Sequence, residues 1–99
     1  MLNTLVTQEQ AVIYAGDYLN KITGEQIERE CRQRFNEGFT QVVVNFSQTE
    51  LVNSIGISIL LGLIDIASSH GARVVFSEVN DHTVELFDML GLTKHVEVV

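Results

Sequence analysis

Ninety-nine residues, 45% of them apolar and 19% charged, allow one packed core and leave no room for a second domain. Six Lys and Arg against thirteen Asp and Glu give a net charge of −7, which repels phosphate backbones and anionic headgroups and argues against nucleic acid or direct membrane insertion. A single cysteine, Cys31, excludes an intrachain disulfide, and no Gly/Ser-rich run, proline or repeat marks a linker.

Met1 to Thr4 has neither the charged start nor the apolar core of an export signal, so a cytoplasmic protein is expected. Two β-type stretches follow, around Leu2 to Thr7 and Ala11 to Ala15, joined by Gln8-Glu9-Gln10 and closed by Gly16-Asp17. Thr23 and Gln26 stand at capping-box spacing, with Ile22 and Ile27 at the places of a hydrophobic staple, which predicts a first helix over 24–36. Its apolar line is Ile27, Cys31 and Phe35, and Glu25 to Arg29, Glu28 to Arg32 and Glu30 to Arg34 are i,i+4 pairs in the favourable order.

Gln41 to Phe46 is a β-branched run with the continuous apolar character of a central strand covered on both faces. After a loop over 47–53, a second helix is predicted over 55–70, with Ile55, Ile59, Leu60, Leu63, Ile66 and Ala67 on its apolar face and Gly71 stopping it. Asn53, Ser54, Ser58 and Asp65 interrupt this apolar window, which is shorter than the ~20 residues that span a bilayer and reads as a buried helix. Arg73 to Ser77 is a further strand. Asn80 or Asp81 then caps a third helix with Val84, Phe87 and Leu90 inward, Gly91 ends it with Leu92 closing an apolar contact, and Lys94 to Val98 is a last strand. The order β-β-α-β-α-β-α-β implies an α/β fold, a mixed and mostly parallel sheet of about five strands with three or more helices.

In such a fold the loops after the strands gather at one edge, and Asn53-Ser54-Ile55-Gly56-Ile57 lies there, where a helix begins. The free amides of that helix N-terminus carry roughly half a positive charge and suit an anionic or hydroxyl group, so the turn fits a switch or a docking point. Gly56 is explained by close packing where the helix starts beside a strand.

Three sets of residues together resemble a STAS domain, and among STAS domains the bacterial anti-sigma factor antagonists. They are the order of elements, the turn Leu51-Val52-Asn53-Ser54-Ile55-Gly56-Ile57, and Leu86-Phe87-Asp88-Met89-Leu90-Gly91-Leu92. Gly16 and His70-Gly71-Ala72 also fall where that family has strand and helix ends, so the resemblance covers nearly the whole chain as one domain. In the family the turn usually reads Asp-Ser-Ser-Gly-Leu, and a partner kinase phosphorylates the second serine to release the antagonist.

Here that second serine is Ile55, the aspartate is Asn53, the first serine survives as Ser54, and an acidic residue three places after the glycine is Leu19. Ile55 has no oxygen to receive phosphate, while Ser54 keeps a hydroxyl one residue away that either accepts phosphate or caps the helix. The resemblance implies a non-enzymatic module without cofactor or metal that binds an anti-sigma factor serine kinase or related regulatory protein and controls a sigma factor by partner switching. Asn53, Ser54, Ile55, Gly56, Ile57 and Ser58 form its expected contact turn, and Asp88 and Met89 its possible extension.

The alternative is a cytoplasmic accessory subunit of a lipid-transporting ABC complex, in which an essential threonine stands at the place of Ser54. A hydrolase reading has little support, because the turn lacks the first glycine of a Gly-x-Ser-x-Gly elbow. His70, His82 and His95 lack metal-ligand spacing.

Overall fold

The structure is a computed structural model that describes residues 4–6 and 10–99. Its strands are β1 (Thr4–Val6), β2 (Ala11–Tyr14), β3 (Tyr18–Leu19), β4 (Gln41–Asn45), β5 (Leu51–Val52), β6 (Arg73–Ser77) and β7 (Glu97–Val98). Its helices are α1 (Lys21–Asn36), α2 (Ser54–Ser69) and α3 (Asp81–Met89), followed by a 3-10 turn over Leu92–Lys94. The main sheet has the order β1-β2-β4-β6-β7, with β1 antiparallel to β2 and every other pairing parallel. Most of the turn expected at Gln8-Glu9-Gln10 lies outside the described residues.

Each helix starts on an asparagine. The side chains of Asn20, Asn53 and Asn80 accept the N–H groups of Thr23, Gly56 and Thr83 at 3.0, 2.8 and 2.8 Å, satisfying one free amide at each N-terminus. This corrects three expectations. α1 begins at Lys21 and not at residue 24, with Thr23 as the far member of the capping box: its hydroxyl oxygen accepts the Asn20 N–H at 2.8 Å. Ile22 is exposed while Ile27 is buried, so the staple between them does not form. Ser54 is the first helical residue of α2 and Asn53 is its cap.

The third helix also shifts its inner face. Thr83 and Phe87 are buried, Val84 and Leu86 are half-buried, and Leu90 is exposed because α3 ends at Met89. Gly91, at φ 84, turns the chain so that Leu92 is fully buried, as expected. The final strand is confined to Glu97–Val98 because the 3-10 turn takes up residues 92–94. Of the expected pairs on α1, Glu28 to Arg32 forms at 3.9 Å, whereas Arg34 reaches Glu37 at 3.2 Å and Glu30 accepts the Thr4 hydroxyl at 3.2 Å.

The core lies between the sheet and all three helices. Ala11, Ile13, Val42, Val44, Val74 and Phe76 meet Ile27, Cys31 and Phe35 of α1, Leu60, Leu63 and Ala67 of α2, and Phe87 of α3. Phe46, Phe76 and Phe87 form a ring cluster with centroids 5.2 to 5.7 Å apart. The opposite face carries the row Val12, Val43 and Val75, in register across β2, β4 and β6 and outside that core. Val43 and Val75 are buried as well, so β4 is covered on both faces, as its continuous apolar run predicts. No described helix is long and apolar enough to cross a membrane.

Candidate partner-binding site

Because β2, β4 and β6 run parallel, the starts of α1, α2 and α3 all fall on the edge where these strands end. Two of the connections there are tied together. The Thr49 hydroxyl donates to the Gly16 carbonyl at 2.6 Å, the Glu50 and Leu51 N–H groups donate to the Asp17 carbonyl at 2.8 and 3.2 Å, and the Asn53 N–H donates to the Leu19 carbonyl at 2.9 Å. These bonds create a two-stranded sheet in which Tyr18 lies beside Leu51 and Leu19 beside Val52, inside a stretch predicted as loop.

The ladder delivers the chain to α2. Asn53 bridges both elements: its side-chain oxygen caps the helix, and its side-chain amide donates to the Tyr18 hydroxyl at 3.4 Å. Gly56 follows in the first turn, buried directly against Leu19. A Cβ at position 56 would come within 2.9 Å of both the Leu19 carbonyl oxygen and its Cγ, so only glycine lets the helix approach this closely.

The residues predicted for the contact turn divide by burial. Ser54, Ile55 and Ser58 are exposed, and the Ser58 hydroxyl donates to the Ser54 carbonyl at 3.0 Å. Gly56 and Ile57 are buried, Ile57 in the main core, so neither presents a side chain to solvent on this turn. Leu19 is also fully buried, so a charge there would sit in the core; the capping position next to it is Asn20.

Asp88 and Met89 do not extend the surface around this turn. They lie at the far end of α3, whose roughly 12 Å length runs back across the sheet because β6 and β7 are parallel. Met89 is 82% exposed, so it does not fill the core either, and Asp88 accepts the Thr93 hydroxyl at 2.7 Å.

The segments that meet at this turn expose apolar side chains. Ile55 is 53% exposed, Leu51 62% and Tyr18 38%, three large side chains on segments joined by backbone pairing. Sequence reasoning missed Tyr18, Leu51 and Thr49. Two-residue strands carry no readable period, although an apolar Leu51 two places before a capping asparagine was an available signal. Among the described residues no group of three His, Cys, Asp or Glu side chains could hold a metal, and His70 instead packs on Phe35 with centroids 5.7 Å apart.

A helix layer on one face of a mostly parallel sheet, with a hydroxyl-bearing apolar turn at the strand exits, defines an α/β module whose distinctive surface is that turn. The chain belongs to the STAS domain family, whose model matches residues 2–99. SpoIIAA from Bacillus in its phosphorylated form is 21% identical, with a TM-score of 0.74 over 100% of this chain and 91% of that one. Its unphosphorylated form, described as an anti-sigma factor antagonist, gives 20%, 0.79, 100% and 88%. A putative anti-sigma factor antagonist from Thermotoga maritima gives 13%, 0.84, 98% and 84%, and the STAS domain of the SulP transporter from Vibrio cholerae 21%, 0.76, 95% and 75%. At such identities these likenesses establish the shared fold.

Proposed function

We propose that this STAS domain is a non-catalytic protein-binding module of the anti-sigma factor antagonist kind, docking through the α2 turn onto a serine-kinase anti-sigma factor and regulating a sigma factor by partner switching. The observation that carries the reading is Ile55. At the position where the resemblance implies a phospho-acceptor serine, an isoleucine stands half-exposed in the first turn of α2, the helix that the paired Tyr18 and Leu51 segments lead into. Burying such side chains in a partner is favourable by roughly 25 cal/mol per Å² of apolar surface. A phosphoserine would instead bring about 1.5 to 2 negative charges to the same turn, and Ile55 cannot undergo that change. The face is therefore held in its binding form, with Ser54 as the adjacent hydroxyl through which phosphorylation would act.

Titration calorimetry with the purified kinase tests this. Ile55→Glu is expected to weaken binding at least tenfold with an unchanged melting temperature, since the side chain faces solvent. Unaltered affinity would overturn the assignment of the turn. Binding to a lipid-transporting ABC complex and not to the kinase would make the chain an accessory subunit of that transporter.

A further inference from the structure

The rim around the apolar turn carries carboxylates in excess. Asp17 follows β2, Glu50 precedes β5 and Glu78 follows β6; all three are exposed, and none belongs to an ion pair among the described residues. Asp17 and Glu50 are immediate neighbours, because the Asp17 carbonyl accepts the Glu50 and Leu51 N–H groups, and they flank the Tyr18 and Leu51 pair. Glu78 stands at the adjacent strand exit, where the Phe46 N–H donates to the Ser77 carbonyl at 2.9 Å.

The cations are elsewhere. Arg29, Arg32 and Arg34 lie along α1, Arg73 opens β6 from the opposite edge of the sheet, and Lys94 ends the 3-10 turn. Only Lys21, the first residue of α1, falls on this rim, and it makes no ion pair among the described residues. Like charges held side by side repel modestly in water, but a partner that covers them must supply opposite charges or leave them desolvated and uncompensated.

Building on the docking reading above, we infer that the partner presents an apolar socket for Tyr18, Leu51 and Ile55 bordered by arginine or lysine side chains that face Asp17, Glu50 and Glu78. Such an arrangement acts on the approach of the two proteins. Opposed charges outside the apolar contact raise the encounter rate and lose their effect as salt screens them, while the apolar centre sets how long the complex lasts.

Association of the purified serine-kinase anti-sigma factor with the wild type and variants, followed by stopped flow at low and high salt, tests the inference. The double variant D17N/E50Q is expected to associate roughly tenfold more slowly at low salt, with a flatter salt dependence and a dissociation rate within about twofold of wild type. The variant D65N/E85Q removes the same charge from exposed positions on α2 and α3 and is expected to associate like the wild type. If D17N/E50Q cannot be told from D65N/E85Q, only net charge matters and the basic socket is overturned. Ile55→Glu separates the two levels: loss of binding in that variant together with a normal D17N/E50Q removes the rim alone, whereas normal binding by Ile55→Glu, or no binding by the wild type, removes the docking reading with it.

Discussion

Gly56 and Leu19 meet without a gap: a methyl group on Gly56 would lie 2.9 Å from the Leu19 carbonyl oxygen, the same oxygen that accepts the Asn53 N–H at 2.9 Å. The start of α2 is thus pressed onto β3 at the point where the ladder and the helix cap converge. Gly56→Ala must push the helix away from a backbone atom that cannot rotate aside. We expect it to destabilise the domain by about 1–3 kcal/mol in chemical denaturation and to weaken partner binding as Ile55 and Leu51 separate.

The three asparagine caps provide an internally controlled series. Each alanine substitution, at Asn20, Asn53 or Asn80, should cost about 0.5–2 kcal/mol by removing the acceptor for one buried-end amide. Asn53→Ala should alone also reduce partner affinity, because only Asn53 also holds the Tyr18 hydroxyl. Denaturant midpoints and calorimetry on the three variants check both statements.

Replacing Ile55 by serine returns a hydroxyl to the exposed second position of α2. Ile55→Ser is expected to be phosphorylated on that serine by the partner kinase with ATP, and the phosphorylated form to lose affinity at least tenfold, because the new charge occupies an apolar contact. Intact-mass spectrometry followed by calorimetry on the separated forms gives the result. The wild type, treated alike, also reports whether Ser54 accepts phosphate.

Cys31 should be silent in the folded protein. Burial, reinforced by the charges of Glu30 and Glu28, pushes its thiol from 9.0 up to about 12. The thiolate is the reactive form, so a disulfide reagent at pH 8 should modify Cys31 only at the rate of unfolding. The sign for stability follows from the raised value. The unfolded chain gives up this proton first, so the contribution is whole below about pH 9 and is lost as the pH climbs toward about 12. Cys31→Ala should remove that alkaline loss while lowering stability at neutral pH through the cavity it leaves.

Much of the architecture was legible because it rests on local chemistry. Val42 to Val44 read as a central strand and are one; Gly91 followed by a buried Leu92 was readable as a helix stop; and the apolar line Ile27, Cys31 and Phe35 faces the core. The candidate turn was legible as a location, since a strand followed by a capped apolar helix must put that cap at the strand exits. Its working surface was not. Ile57 was expected beside Ile55 in the turn, yet the two steps along a helix that separate them rotate a side chain by about 200°, and that takes it from solvent into the core.

Patterns of neighbouring residues determined the helices, the inner strands and the position of the candidate turn, because caps, apolar periods and glycine stops act within a few residues of themselves. Only the tertiary structure decided that Tyr18 and Leu51 stand together, that Leu19 is walled in beneath Gly56 and that Asp17 borders Glu50. These relationships join segments more than thirty residues apart through hydrogen bonds between carbonyl and amide groups, and those groups are the same in every residue type and leave no mark on the sequence.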